Sequence, residues 1–337
     1  MEQASQSASS RGSPDGAAPA GSVGVPPTEP RASPSLRICW PAWLAVLGIV
    51  IIHSLRHLAD HWWIAACGTA WSLHAGLLLC MATLFRVRRA PIAVAVAALL
   101  CGVLAYDRWA AIPRLEGGSG SGDLRLTVAN QGYWNEDPGV AAALLANDPH
   151  LLLVIETSLA TERALEATRS WSGTYTTFQK RHAFGWACYA AWPLRPEAIP
   201  GREPGMAMLL HVERPGAPFR VIVMHPPPPI GSEAHAAHRR ILDAIGALLS
   251  TSEVPTLVLG DANATAEVPA LRRLAAAGMR RASPALGSSW PSALGPAGMG
   301  IDHILVKEGS WRLVDAGTVR IPGSDHRGRT ATLLTEP

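Results

Sequence analysis

Apolar residues are spread very unevenly along this chain. Residues 1–36 are rich in Ser, Pro, Gly and Ala and show no apolar period. Such a stretch cannot bury enough surface to offset chain entropy, so a disordered tail is expected there. It is too long and polar before the first apolar run to be a signal peptide. Three apolar runs follow, Cys39–Leu55, Trp62–Phe85 and Ala90–Tyr106. Each approaches the roughly 20 residues that cross a bilayer. Trp40, Trp43, Trp62, Trp63 and Trp109 fall near their ends, where amphipathic rings favour the membrane interface. The pattern predicts three transmembrane helices within residues 37–112. A buried bundle in a soluble protein is the alternative, and three successive runs with so few internal charges argue against it.

Residues 113–122 end in Gly117-Gly-Ser-Gly-Ser-Gly122, which reads as a flexible linker. Beyond it the pattern shortens and begins to alternate, over a length, residues 123–337, that suits one α/β domain. Leu124–Ala129, Leu151–Ile155, Phe219–Met224, Thr256–Leu259, Ile301–Val306 and Thr330–Leu334 read as strands. Gly139–Asn147 reads as a helix. A second helix runs from an N-cap at Ser232 to about Leu249, with Ile241, Leu242, Ile245, Leu248 and Leu249 at helical spacing. Some strands follow one another directly, which predicts mixed rather than purely parallel sheets.

Charge changes the picture in two places. Arg11, Arg31 and Arg37 lie on the tail, and Arg86, Arg88 and Arg89 crowd the second loop; Arg56, Arg108 and Arg114 fall on the other side. The positive-inside rule then places the N-terminus in the cytoplasm and everything after Trp109 outside it. Of 29 basic and 26 acidic residues, eight and five precede Arg114, which leaves 21 of each from that residue onward. A domain of zero net charge lacks the basic excess of a non-specific nucleic-acid binder. Cys39, Cys67, Cys80 and Cys101 lie in or beside the apolar runs, and Cys188 is alone downstream. The domain therefore has no internal disulfide and no cysteine metal cluster.

The candidate chemistry collects at strand ends. Asn130, Glu156, His225, Asp261 and Asn263 each come just after an apolar strand, where α/β folds bind ligands. Two further strings, Ile301-Asp302-His303 and Ser324-Asp325-His326, add carboxylates and imidazoles. Mg2+ takes oxygen ligands, usually one or two carboxylates with water and substrate phosphate. Glu156 is the main candidate metal carboxylate, Asp325 the second, and Asn130 could orient the metal or a phosphate oxygen. Taken singly, each signal is weak: Gly260-Asp261-Ala262-Asn263 is a turn composition, Asp302 could cap a helix, and Asn130 could be a turn residue before Gly132. His235 and His238 fall on the second helix and are expected at its surface. His150 and His182 take no role.

Taken together and in order, these strings resemble the endonuclease/exonuclease/phosphatase superfamily over residues 124–334. In that family an Asn ends the first strand, matched by Asn130, and a metal-binding Glu ends the second long apolar strand, matched by Glu156. His225, Gly260 to Asn263, Ile301 to His303 and Ser324 to His326 match the later motifs. The resemblance implies an α/β four-layer sandwich of two mixed β-sheets flanked by helices, here preceded by three transmembrane helices. It implies Mg2+, with Mn2+ as the alternative, held by Glu156, Asn130 and Asp325. Asp261, Asn263, His326, Asp302 and His225 become the catalytic set, with Asn130, His225 and Asn263 on the substrate. Asp261 would orient or deprotonate water, and Asp302 would hold the tautomer of His326. Two positions depart from the family pattern. Many relatives carry Gln where Ile155 stands, and a frequent Ser-Arg pair is replaced within Ala190-Ala191-Trp192-Pro193-Leu194. The Pro226–Pro229 stretch is stiff polyproline and is expected to shape the rim of the cleft.

The three-run anchor resembles the membrane-anchored type found in teicoplanin resistance of actinobacteria, and 27 Arg against 2 Lys suits a GC-rich genome. Tethering at a bilayer raises the effective concentration of membrane-borne substrates. The expectation is a cell-membrane enzyme with an extracytoplasmic domain, hydrolysing a phosphate ester or pyrophosphate of envelope or lipid-linked type. Its partners are then the lipid bilayer and a phosphorylated substrate, with nucleic acid less favoured. An extracytoplasmic nuclease and a non-catalytic binding module remain open as alternatives.

Overall fold

A computed structural model of the chain describes residues 40–86, 91–177, 183–201, 205–283 and 287–336. The polar tail with its arginines, Cys39, Arg88, Arg89 and His182 lie outside the described residues.

Three helices come first: α1 (Trp40–Leu55), α2 (Trp63–Arg86) and α3 (Pro91–Ala110). They share a small core of Val46, Ile49, Ala97, Cys101 and Leu104. Trp63–Leu84 and Pro91–Ala110 are long and apolar enough to cross a membrane. α1 has 16 residues, about 24 Å at 1.5 Å per residue, short of the ~30 Å hydrocarbon core. Of the three helices expected to span, two therefore have the length and composition to do so and α1 does not.

The remaining elements form two six-stranded sheets. The six strands read from sequence are β1 (Leu124–Asn130), β2 (Leu151–Ile155), β7 (Phe219–Met224), β8 (Thr256–Asp261), β10 (Asp302–Lys307) and β12 (Arg327–Thr335). Six more accompany them: β3 (Gly173–Thr177), β4 (Trp186–Ala190), β5 (Leu194–Ala198), β6 (Ala207–Val212), β9 (Met279–Arg281) and β11 (Trp311–Arg320). One sheet runs β11-β12-β1-β2-β4-β3 and the other β5-β6-β7-β8-β10-β9. β1 and β2 pair in parallel, as do β7 and β8, while the neighbouring pairs are antiparallel. Both sheets are therefore mixed.

Side-chain alternation explains why the central strands read as unbroken apolar runs. Leu151, Leu153 and Ile155 point between the sheets and meet Leu210, Val221, Leu257 and Ile304. Leu152 and Val154 point outward and pack with Val140 and Leu144 of α4 (Val140–Leu145) and Leu165 of α5 (Leu159–Thr168). On the other side, Ile222 and Val258 pack under α6 (Ser232–Ser250) and α7 (Pro269–Ala276). A strand covered on both faces has no polar side to show. The expected α/β fold of two mixed sheets flanked by helices is present.

Several local expectations change. α6 begins one residue early: its N-cap is Gly231, at φ 90°, and Ser232 lies inside the helix. His235 and His238 are buried, not at the surface. Their imidazole Nε2 atoms lie 2.8 Å from the Ala59 carbonyl and 2.9 Å from the Ala262 carbonyl, so each ring tacks α6 to another segment. The Gly-rich stretch is held where it starts. Leu115 N–H donates to the Arg281 carbonyl, and Gly118 N–H to the Leu313 carbonyl.

The helices and the sandwich are joined by charge. Arg108 of α3 donates from Nε to Glu267 at 2.7 Å and from Nη2 to the Ala70 carbonyl of α2 at 2.8 Å. Both Arg108 and Glu267 are buried. Asp60, between α1 and α2, pairs with Arg273 of α7 at 2.8 Å.

Candidate active site

The candidate residues converge at one end of the two sheets. β1 ends on Asn130 beside Ile155 of β2, so Glu156 emerges next to Asn130. β7 ends at Met224 and delivers His225. β8 ends at Asp261, which lies directly opposite Asp302 in the antiparallel register with β10. His326 comes one residue before β12, the other neighbour of β1.

Gly260 makes the β7–β8 contact possible. It adopts φ +139°, and a Cβ there would lie 1.9 Å from the Met224 carbonyl oxygen. Only glycine fits this approach. Glu156 and Asn263 hold φ values of 52° and 47°, a left-handed region that non-glycine residues occupy rarely and that collects at functional sites.

Hydrogen bonds fix the side chains. The Asn130 Nδ2 amide donates to Glu156 Oε1 at 3.0 Å and to Asp261 Oδ2 at 3.2 Å, which links the two sheets. Gly132 N–H donates to Asn130 Oδ1 at 3.0 Å and so sets which end of the amide faces the carboxylates. Tyr133 N–H donates to Glu156 Oε2. Asn263 N–H donates to Asp261 Oδ1 at 2.8 Å, and its side-chain amide donates to the Pro226 carbonyl at 3.0 Å. His326 Nδ1 lies 2.9 Å from Asp302 Oδ2, and its Nε2 lies 3.8 Å from Asp261 Oδ2.

Burial and mutual charge set the protonation states. Burial lowers the basicity of His326, but the charge and hydrogen bond of Asp302, then Asp261 and Asp325, outweigh it and raise its pKa to about 10. Burial alone would raise Asp302; the His326 cation, the hydrogen bonds and the Arg329 charge hold it below the usual carboxylate range. Asp261 is raised to about 7, first by burial and then by the Asp302 charge. His225 is pushed down to about 3 by burial. It is therefore neutral, and its 3.8 Å approach to Glu156 is a contact between a neutral ring and a carboxylate, not an ion pair. Burial also raises Glu156, partly offset by the Asn130 and Tyr133 donors.

The donor set suits a hard divalent cation. Asp325 accepts from Trp290 Nε1 through Oδ2 at 2.8 Å, while its buried Oδ1 has no protein partner. The Asp325 charge adds to the upward push on Glu156, and a cation held by the two carboxylates would relieve both. Asp261, Asp302 and His326 also bring ligand atoms within 4.8 Å of one another. A metal in that second group would have to displace the proton that His326 retains up to about pH 10, so Glu156 and Asp325 are the better holders.

Sequence reasoning missed three supports. Ser289 Oγ accepts the N–H groups of Ile301 and Asp302 at 3.0 and 3.1 Å. Trp290 holds Asp325, and its ring centroid lies 6.5 Å from that of His326. Arg329 is buried behind the pair and donates to the Asp302 carbonyl. Ser288-Ser289-Trp290-Pro291 carries no period or spacing that marks it, and Arg329 reads as an ordinary strand residue.

The model of the Endonuclease/Exonuclease/phosphatase family matches residues 130–326, from the first site residue to the last. The chain belongs to this family. Endonuclease/exonuclease/phosphatase family members hydrolyse phosphoester bonds, and the family as a whole uses divalent metals. Solved structures give the fold independently. A functionally unknown conserved protein from Enterococcus faecalis V583 is 18% identical with TM-score 0.50, over 63% of this chain and 100% of its own. A family protein from Bacteroides thetaiotaomicron is 14% identical with TM-score 0.50, over 64% and 97%. D. rerio TDP2, solved with a single strand DNA product, is 13% identical with TM-score 0.51, over 63% and 99%. No curated protein sequence matches.

Proposed function

We propose that the protein is a membrane-anchored, Mg2+-dependent phosphoester hydrolase that acts outside the cytoplasm on an envelope or lipid-linked phosphate or pyrophosphate. One observation carries the catalytic part: the buried Asp302–His326 pair presents its free Nε2 toward Asp261. A lasting imidazolium and a carboxylate of raised pKa then stand side by side at a strand-end cleft.

Glu156 and Asp325, with Asn130 beside them, would hold a divalent cation, which would supply polarisation of a phosphoryl oxygen and offset leaving-group charge. The protein's own residues do the rest. Asp261, with a pKa near neutrality, accepts the proton of the attacking water. Asn263, held to Asp261 and Pro226, positions that water. His326, kept as the imidazolium by Asp302 on its Nδ1 side, donates from Nε2 to a phosphoryl oxygen and balances its developing charge. His225, neutral in its buried setting, offers a hydrogen bond to phosphate without adding charge.

The membrane reading is supported by the outer face of the helices. Leu47, Val50, Ile51, Leu77, Leu78, Met81, Leu84, Ile92 and Leu99 of the three helices are exposed, more apolar surface than soluble helices leave open. We assign α1 to the membrane with α2 and α3, and the N-terminus to the cytoplasm, on the placement of the arginines along the sequence. A reporter fused to the C-terminus is expected to be active only outside the cytoplasm; a cytoplasmic signal would overturn that topology. The zero net charge from Arg114 onward disfavours nucleic acid as substrate. Full-length protein with Mg2+ is expected to release phosphate from lipid pyrophosphates or phospholipids and to leave plasmid DNA intact. Glu156→Ala and His326→Ala should abolish release, and equal activity in those variants refutes the assignment.

A further inference from the structure

A cavity of about 330 Å³ lies between α2 and the sandwich, and it ends at Asn263 and His326. Its volume falls in the range of small-molecule sites, about 300–1,000 Å³. Its walls are almost wholly apolar. Cys67 and Trp71 come from α2, Pro229 and Ile230 from the polyproline rim, and Trp290 and Met299 from the segment before β10. The seam is held by named contacts. Trp71 meets Trp290 edge-on at 6.4 Å, Cys67 Sγ donates to the Pro229 carbonyl at 3.6 Å, and His74 Nε2 lies 2.7 Å from the Ala297 carbonyl. An aromatic line thus runs from α2 through Trp290 to His326.

The same face of α2 leads out of the cavity. Residues 67, 71, 74, 78 and 81 share one stripe at 3.6 residues per turn. Cys67 and Trp71 wall the cavity, and further along the stripe Leu78 is 71% exposed and Met81 49% exposed. The cavity that ends at His326 thus lies against the same α2 stripe that continues, past His74, to exposed Leu78 and Met81. Polar substrates gain nothing from such walls; an aliphatic chain does.

We propose that this cavity is the subsite for the aliphatic chain of a membrane-borne phosphate, with the chain along the α2 stripe and the phosphate at His326. The helix bundle then supplies one wall of the active site, in addition to anchoring it. The assignment rests on the phosphoester-hydrolase reading above and names what sets its specificity. Ile230, 68% exposed at the rim, and Trp71 are the selecting residues.

The experiment uses full-length protein in detergent and two compounds with one head group, dimethylallyl diphosphate and farnesyl diphosphate. Equilibrium binding and Mg2+-dependent turnover are measured for each. Wild type is expected to bind the farnesyl compound at least tenfold more tightly. Ile230→Glu and Trp71→Ala should shrink that ratio at least fivefold, and Val254→Glu, a charge added on the loop after α6, should leave it as in wild type. Equal affinities in wild type, or a ratio unchanged in both rim variants, overturns the subsite. A preference that collapses in the variants without turnover of any phosphoester supports the subsite and sinks the hydrolase reading instead. Ile230 stands clear of the core, so its variant separates loss of chain recognition from misfolding.

Discussion

Asp302 Oδ2 meets His326 Nδ1 at 2.9 Å, and both residues are buried. The hydrogen bond assigns the proton on Nδ1 to the carboxylate side and leaves Nε2 to face Asp261 and substrate. Removing the charge while keeping the shape tests this. Asp302→Asn is expected to lower kcat by roughly 10²–10⁴, the span of positioned acid–base contributions, with a smaller change in KM. Steady-state kinetics of the variant, with circular dichroism to show an intact fold, is the measurement.

The same three groups set the pH profile. Asp261 must be ionised to take a proton, and its pKa is raised to about 7. His326 must be protonated to donate, and its pKa is raised to about 10. Activity should therefore rise as pH climbs through about 7, stay level, and fall near 10. These limbs belong to the coupled set and not to single residues. Asp302 raises both groups, so Asp302→Asn should shift both limbs toward acid. A profile in which only one limb moves would contradict the shared electrostatics.

Two other histidines link the site to acid stability. His238 Nε2 lies 2.9 Å from the Ala262 carbonyl, and His303 Nε2 lies 2.9 Å from the Ala264 carbonyl. They flank Asn263 and hold its loop. Burial pushes both down to about 4. The folded state thus binds their protons less readily than the unfolded state, whose histidines titrate near 6.5. Stability from these rings is complete above about pH 6.5 and is lost as pH falls toward 4. Each contributes about 3 kcal/mol over that window. Urea denaturation at pH 7 and pH 5 should show the loss, and His238→Gln should reduce its slope.

The cluster of motifs was legible because it lies at strand ends whose apolar runs are unbroken: Leu151–Ile155 announces Glu156, and Thr256–Leu259 announces Asp261. The edge strand β5 was not, because Leu194–Ala198 carries Arg, Pro and Glu on an edge that needs no apolar face. The buried state of His235 and His238 was hidden for another reason. An imidazole in a helix is spaced like a surface residue until the carbonyls it meets, those of Ala59 and Ala262, are in place. Trp290 and Ser289 escaped because their work is contact with other segments, at Asp325 and Asp302, which no local pattern encodes.

Gly260 is open to a direct structural test. A methyl group there meets the Met224 carbonyl at 1.9 Å, on a backbone already at φ +139°. The obstacle is main chain at the end of a parallel strand pair, so no side-chain rotation relieves it. Gly260→Ala is expected to destabilise the domain by about 3 kcal/mol or more, combining overpacking with backbone strain. A chemical-denaturation midpoint equal to wild type would contradict this.

Arg108 and Glu267 make the strongest charged link between helices and sandwich. The pair is buried, with side-chain exposures of 7% and 6%, and Arg108 also donates to the Ala70 carbonyl of α2. Removing one partner leaves a charge without its counter-ion. Arg108→Ala is therefore expected to cost about 3–5 kcal/mol, and Glu267→Ala a similar amount. The double variant Arg108→Met, Glu267→Leu removes both charges and should recover much of the loss. Because Glu267 follows the Asn263 loop and Arg108 braces the part of α2 that bears Trp71, the single variants should also weaken binding of long-chain phosphates more than short ones. Denaturation of the three variants in one detergent measures the first effect. The farnesyl-to-dimethylallyl affinity ratio measures the second, and a ratio that stays at the wild-type value while stability falls would uncouple the buried pair from the cleft.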